Sequence, residues 1–145
     1  MTTIAAILRH KGDEVITVAP ETTVPELARV LRDRRIGAVL VTGPDDQLLG
    51  IVSERDIVAS LGGAGAVTLE MTAAQLMTRV LSTIGPRDSV ERAMILMTER
   101  RVRHLPVLEA GHIVGLVSIG DVVKARILDQ DQAVEHLRAY IAGSG

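Results

Sequence analysis

The sequence predicts an α+β fold in which one strand, helix, strand, strand, helix unit occurs twice. First, a nine-residue stretch that begins Gly50-Ile51-Val52-Ser53 and continues Glu54-Arg55-Asp56-Ile57-Val58 returns as Gly115-Leu116-Val117-Ser118 and Ile119-Gly120-Asp121-Val122-Val123. Second, strand and helix signals occur in the same order before both copies. Third, 145 residues suit one compact domain or two half-size units that share a core.

The first repeat begins with a short strand over residues 15–18 and continues into an amphipathic helix. Thr23-Val24-Pro25-Glu26 is a capping-box sequence with proline near the first helical position, and apolar residues recur behind it at helical spacing. The apolar run from Ile36 to Val41 predicts a strand covered on both faces, and Leu48 to Val52 predicts its hairpin partner. A second helix is expected from about Glu54 to Leu61.

The repeat divides the chain into segments. Aligning Thr17 with Thr83 carries Val41 onto Val107 and, after one deletion in the hairpin turn, Asp56 onto Asp121. The helix after the first motif copy is expected to end at Gly62-Gly63. The sequence therefore predicts a first repeat with an N-terminal helix over residues 1–62, a Gly/Ala-rich connector over 63–72, a second repeat over 73–128 and a C-terminal helix extension over 129–145.

Composition excludes several classes of protein. The chain is 47% hydrophobic but 1% aromatic, so it lacks the stacking platforms of single-stranded nucleic-acid binders. A formal net charge of −2 lacks the electrostatic footprint of DNA- or RNA-binding domains, and the absence of cysteine excludes disulfides and thiolate metal sites. No apolar run approaches the ~20 residues that cross a bilayer, and neither end resembles a targeting signal. We therefore expect a cytoplasmic protein without nucleic-acid or membrane partners.

The repeated motif is suited to binding an anion. A strand that turns into a helix directs unpaired backbone N–H groups at one spot, which is the usual basis of a phosphate site. Ser-x-x-Asp is also an ordinary helix cap, so a purely structural role for Ser53, Asp56, Ser118 and Asp121 stays open. The chain has no Walker A motif, nucleophile elbow or histidines at metal-ligand spacing. We expect neither catalysis nor a metal site.

With two repeats that each end in Gly-apolar-apolar-Ser-x-x-Asp, the sequence resembles the cystathionine beta-synthase (CBS) domain family. Leu76-Met77-Thr78 and Arg103-His104-Leu105-Pro106-Val107 match the family as well, and the resemblance covers about Ile4 to Leu128. It implies a stand-alone CBS pair whose repeats pack into a pseudo-two-fold disc, with two discs forming a homodimer. It also implies that clefts between the sheets bind AMP, ADP, ATP, S-adenosylmethionine or NAD(H).

The resemblance implies roles for individual residues. Asp56 and Asp121 would accept hydrogen bonds from ribose hydroxyls, while Ser53 and Ser118 would cap helices or bind phosphate and ribose. A phosphate beside an aspartate needs a cation, which Arg55, Arg103 and His104 would supply, although the last two could instead continue a solvated basic face. Because Gly120 replaces Arg55 in the second repeat, we expect two unequal sites. The remaining expected nucleotide contacts are Thr17, Val18, Gly37, Ala38, Val39, Ser82, Thr83 and Leu105.

The function expected from the sequence is therefore a regulatory module. It would sense an adenine nucleotide, and so cellular energy state, and signal through a change of conformation without doing chemistry. The alternative is a protein-interaction or structural module with empty clefts, which would act through the connector and the apolar C-terminal face, Val134 to Ile141.

Overall fold

The computed structural model describes residues 2–12, 14–80 and 82–144 and contains two compact units. The first-repeat unit is Val15–Leu81, and the second-repeat unit combines Met1–Glu14 with Ser82–Gly145. Each unit has its own sheet and its own apolar core. The α+β class predicted from the sequence is confirmed.

The first-repeat unit is built on a four-stranded mixed sheet. In sheet order, its strands are β1 Thr17–Val18, β2 Ala38–Thr42, β3 Leu48–Ser53 and β4 Thr78–Arg79. β1 is parallel to β2, and the other neighbours are antiparallel. Apolar residues of the sheet and of the first helix, such as Leu27, Val39 and Val52, are fully buried and form the core. The helices of this unit are α2 Val24–Arg34, α3 Glu54–Ala64 and α4 Ala73–Leu76.

The end of α3 differs from the prediction. The helix passes through Gly62-Gly63 and ends only where Gly65, at φ +69°, leaves the helical region and donates its N–H to Leu61 O. A helix interior tolerates glycine at a modest cost, whereas positive φ is what stops it. A 3₁₀ segment, Gly65–Glu70, follows, and in it the fully buried Thr68 hydroxyl lies 2.8 Å from that of Ser60.

The second-repeat unit has a hairpin as its sheet. Its strands β5 His104–Glu109 and β6 His112–Ser118 are antiparallel. Ile84 forms an isolated parallel bridge with Val107. The repeat aligns these two residues with Val18 and Val41, which pair in the first-repeat unit. Helices α1 Ile4–Lys11, α5 Val90–Arg100 and α6 Ile119–Ser144 cover the hairpin, and Leu105, Val107, Val117 and Val122 are fully buried in this core.

The first helix of each predicted repeat segment, α1 or α4, packs in the unit of the other repeat. Ile4 N donates to Asp88 O at 2.9 Å, so α1 lies in the second-repeat unit. In the same way Ala73 N donates to Thr22 O at 2.7 Å, which attaches α4 to the first-repeat unit. The N-terminal helix that the sequence assigned to the first repeat therefore stabilises the second. The four segment boundaries themselves stay a prediction.

The last helix is long and changes character along its length. α6 has 26 residues and buries Val122 and Ala125 near its start, but every described residue from Gln130 to Gly143 is exposed. In the described parts of the chain, no helix combines the length and the apolar character that crossing a bilayer requires.

Candidate nucleotide-binding motifs

The first motif copy is a reciprocal helix cap. β3 ends at Ser53, whose Oγ accepts a hydrogen bond from the N–H of Asp56 at 3.3 Å. In return, Asp56 Oδ2 accepts hydrogen bonds from Ser53 N at 2.8 Å and from Ser53 Oγ at 3.0 Å. The carboxylate is therefore fixed in the first turn of α3. Within the described residues, Asp56 Oδ1 has no hydrogen-bond partner.

The second copy has the same cap. Ser118 N donates to Asp121 Oδ2 at 2.8 Å, and Asp121 N donates to Ser118 Oγ at 3.1 Å. The structural role that the sequence left open thus exists in both copies. It does not exclude a role in binding, because capping engages only one of the two carboxylate oxygens.

The neighbouring strand brings more of the expected residues to each motif. Ala38 pairs with Ser53 across β2 and β3, and His104 pairs with Ser118 across β5 and β6. In both units, the first N–H of the helix after the motif serine donates to the carbonyl of the residue that precedes the partner strand. Glu54 N donates to Gly37 O at 3.0 Å, and Ile119 N donates to Arg103 O at 2.8 Å. Each motif therefore lies beside the start of its partner strand.

The expected residues divide between the two units. Thr17, Val18, Gly37, Ala38, Val39, Ser53, Arg55 and Asp56 lie in the first-repeat unit, and Ser82, Thr83, Arg103, His104, Leu105, Ser118 and Asp121 lie in the second-repeat unit. Val39 and Leu105 are core residues with 0% exposure, so neither presents any surface to a ligand in this structure. Arg55 and Arg103, in contrast, are exposed. Whether these residues contact a nucleotide stays a prediction.

An ion pair distinguishes the second copy from the first. Lys11 Nζ on α1 donates to Asp121 Oδ2 and to Leu116 O, both at 2.8 Å. Burial alone would raise the pKa of Asp121, but the Lys11 hydrogen bond and charge, together with the Ser118 bonds, hold that pKa below its usual value. Lys11 was not among the residues expected from the sequence. No local signal marks it, because its partner Asp121 lies 110 residues away in the chain.

A surface hollow adjoins this ion pair. It has a volume of about 310 Å³ and lies between α1 and α6, with His10, Lys11, Asp121, Lys124 and Asp129 among its lining residues. Asp129 also accepts hydrogen bonds from the Thr2 backbone and hydroxyl. These contacts hold Thr2 against α6. Across the described ranges, no group of three or more His, Asp or Glu side chains is arranged to hold a metal ion.

Comparison with known families agrees with this geometry. The family model described as CBS domain matches residues 5–63 and 73–128. The chain belongs to the CBS domain family. A CBS domain-containing mitochondrial protein of Arabidopsis thaliana is 33% identical over 150 residues, which cover 98% of this chain and 73% of the relative.

Solved structures of CBS-domain proteins match the fold. One from Agrobacterium tumefaciens is 41% identical with a TM-score of 0.82, over 86% of this chain and 99% of that one. A CBS domain protein from Pyrobaculum aerophilum complexed with AMP is 25% identical with a TM-score of 0.73, over 83% and 89%. Hypoxic Response Protein I, with two coordinated zinc ions, is 29% identical with a TM-score of 0.71, over 85% and 98%.

Proposed function

We propose that this CBS domain pair is a regulatory module that binds an adenosine-containing ligand, such as AMP, ADP, ATP or NAD(H). Asp56 would be the main contact with the ribose hydroxyls. The observation that supports this role is the geometry of its cap, in which Oδ2 is held by Ser53 and Oδ1 has no partner among the described residues. A carboxylate oxygen fixed in this way can accept a hydroxyl hydrogen bond without further ordering of the side chain.

The two motif copies would bind with unequal affinity. The Asp121 carboxylate already interacts with Lys11, and a ligand would meet an ion pair rather than a carboxylate without a cation. Arg55 precedes Asp56 and is exposed, so it can offset the charge of a ligand phosphate. Its counterpart in the second copy is Gly120. We therefore expect the first-repeat motif to bind more tightly.

Support for the ligand class comes from the AMP complex of the Pyrobaculum aerophilum relative. The motif would contact the adenosine moiety that AMP, ATP and NAD(H) share. Binding would change conformation, and pass a signal to a protein partner, only to the extent that the ligand prefers one state. A homodimer, a cytoplasmic location and the absence of catalysis complete the proposal.

Thermal unfolding with separate additions of AMP, ADP, ATP, NAD, NADH and S-adenosylmethionine tests the proposal. A ligand at one hundred times its Kd adds about 2.7 kcal/mol to the free energy of unfolding. For a chain of this size, that raises Tm by roughly 5–10 °C. We expect a shift with at least one of these ligands.

Matched variants identify the site. Asp56→Asn should abolish the shift, Asp121→Asn should retain most of it, and Glu54→Gln is a control that removes a charge from the same helical turn. If no ligand shifts the transition and the purified protein carries no nucleotide, the interaction-module alternative replaces the proposal. A full shift in Asp56→Asn would reject the site but keep the function.

A further inference from the structure

The exposed part of α6 carries a regular apolar stripe. Val123, Ile127, Val134 and Leu137 are 43, 51, 47 and 59% exposed. Gln130 lies between Ile127 and Val134, and Ile141 follows Leu137, so that neighbouring residues of this set are alternately four and three positions apart. This is the a/d spacing of a coiled coil. We call these six residues, Val123, Ile127, Gln130, Val134, Leu137 and Ile141, the α6 seam.

The α6 seam is distinct from the face that packs in its own unit. Val122 and Ala125 are buried at 0 and 9% exposure. At about 100° per residue, the seam is centred roughly 130° around the helix from them, which is more than a third of a turn. Most of it also lies beyond residue 128, where the match to the CBS family model ends. Neither the core of the unit nor the family match therefore accounts for the part of the stripe beyond residue 128.

We propose that the α6 seam binds the α6 seam of a second copy, as a parallel, in-register, two-stranded coiled coil. An identical copy presents the same spacing, so each apolar layer meets its equivalent. In that arrangement Arg126 occupies a g position and Asp131 the facing e position of the other copy. Their opposite charges favour this register. Arg126 Nη1 also forms an ion pair with Glu91 Oε1 of its own unit at 2.7 Å, and the five N–H donors of a guanidinium are enough for both carboxylates.

Gln130 determines the orientation. In a parallel, in-register pair, each Gln130 lies opposite its own equivalent, and the two amides can hydrogen-bond to each other. Each antiparallel register that pairs a with d positions places Gln130 opposite Ile127, Val134 or Ile141. The amide would then be buried without a partner, which is costly. A buried polar residue at one seam position is a known determinant of register.

The seam is short, so the dimer it forms should dissociate readily. Residues 123–141 span roughly 27 Å of helix. An isolated helix of this length is marginal in water because nucleation is unfavourable. Here the buried start of α6 provides the nucleus, so association does not have to form the helix. A reversible, concentration-dependent dimer follows.

Sedimentation equilibrium tests the interface. Leu137→Asp places a charge in the seam, and we expect at least a tenfold increase in the dimer dissociation constant. Ala139→Asp adds the same charge on the opposite face of the same turn and should leave the constant unchanged. Both side chains are exposed, so neither variant should alter the fold. A wild-type protein that stays monomeric, or a dimer that Leu137→Asp does not weaken, would overturn the proposal.

Disulfide trapping tests the orientation, because the chain contains no cysteine. Leu137→Cys, which leaves Gln130 in place, should form an intermolecular disulfide under mild oxidation, since facing core positions approach the Cα separation of about 4.4–6.8 Å that a disulfide requires. Ala139→Cys, on the opposite face, should stay reduced. Crosslinking of neither variant, or of both equally, would contradict in-register parallel pairing. These results do not depend on nucleotide binding.

Discussion

The glycine that opens each motif copy should respond unequally to a single added methyl group. A Cβ at Gly50 would lie 2.6 Å from Met77 Sδ and 2.8 Å from Thr78 O. A Cβ at Gly115 would lie 2.5 Å from Leu8 Cδ2, and its other near contacts also belong to the Leu8 side chain. All these distances are too short for carbon, so the neighbour must move in both variants.

The two neighbours differ in how easily they move. The Leu8 side chain can change rotamer, whereas Thr78 O belongs to β4, which pairs with β3 next to Gly50. Overpacking typically costs 1–3 kcal/mol. Replacing glycine by alanine returns about 0.4–1 kcal/mol by restricting the unfolded chain. We therefore expect Gly115→Ala to lower the free energy of unfolding by less than about 1 kcal/mol and Gly50→Ala by about 2 kcal/mol.

Urea unfolding measured by far-ultraviolet circular dichroism gives both values, and it suits a chain without tryptophan. A double-mutant cycle adds a control for the assigned contact. Leu8→Ala should relieve the clash in Gly115→Ala and give a coupling energy of at least about 0.5 kcal/mol. An equal loss of unfolding free energy at the two glycines, or additive effects of Leu8→Ala and Gly115→Ala, would refute the packing of Thr78 against Gly50 and of Leu8 against Gly115.

Two further variants test the motif contacts. Lys11→Met should cost about 0.5–1 kcal/mol at pH 7, because the Lys11–Asp121 pair is partly exposed. The folded-state pKa of Asp121 is lowered, so the pair stabilises the fold above the unfolded-state pKa of about 3.9 and loses its effect as pH falls through the folded-state value. Urea unfolding should therefore show a smaller cost at pH 3 than at pH 7, and an equal cost at both would contradict the pairing. Ser53→Ala should cost about 1 kcal/mol by removing the cap of α3, and an unchanged urea midpoint would reject that role.

Local signals in the sequence predicted most of the secondary structure. The capping box at Thr23 and Glu26 forms as expected and starts α2 at Val24. The hairpin of β2 and β3 and the cap at Ser53 also follow the sequence pattern. These features are set by residues close together in the chain, where propensity and capping chemistry act directly.

Features set by distant residues were not predicted. The short segment at Ile4 resembles an appendage of the first repeat, yet it buries Ile4 completely in the core of the second. Lys11 was overlooked because its partner Asp121 lies 110 residues away. The end of α3 was misplaced because the Gly62-Gly63 pair is a stop signal in sequence, whereas the positive φ occurs at Gly65. Choice of partner and backbone conformation depend on packing that no local pattern contains.

The most direct test of the proposed function compares the affinity of the protein for AMP and for 2′,3′-dideoxy-AMP by isothermal titration calorimetry. The two ligands share base and phosphate and differ only in the hydroxyls assigned to Asp56. Hydrogen bonds to a charged group are worth about 1.5–3 kcal/mol, so the dideoxy ligand should bind about ten to one hundred times more weakly. In Asp56→Asn this difference should shrink. Equal affinity of the wild-type protein for the two ligands would contradict recognition of ribose by the motif.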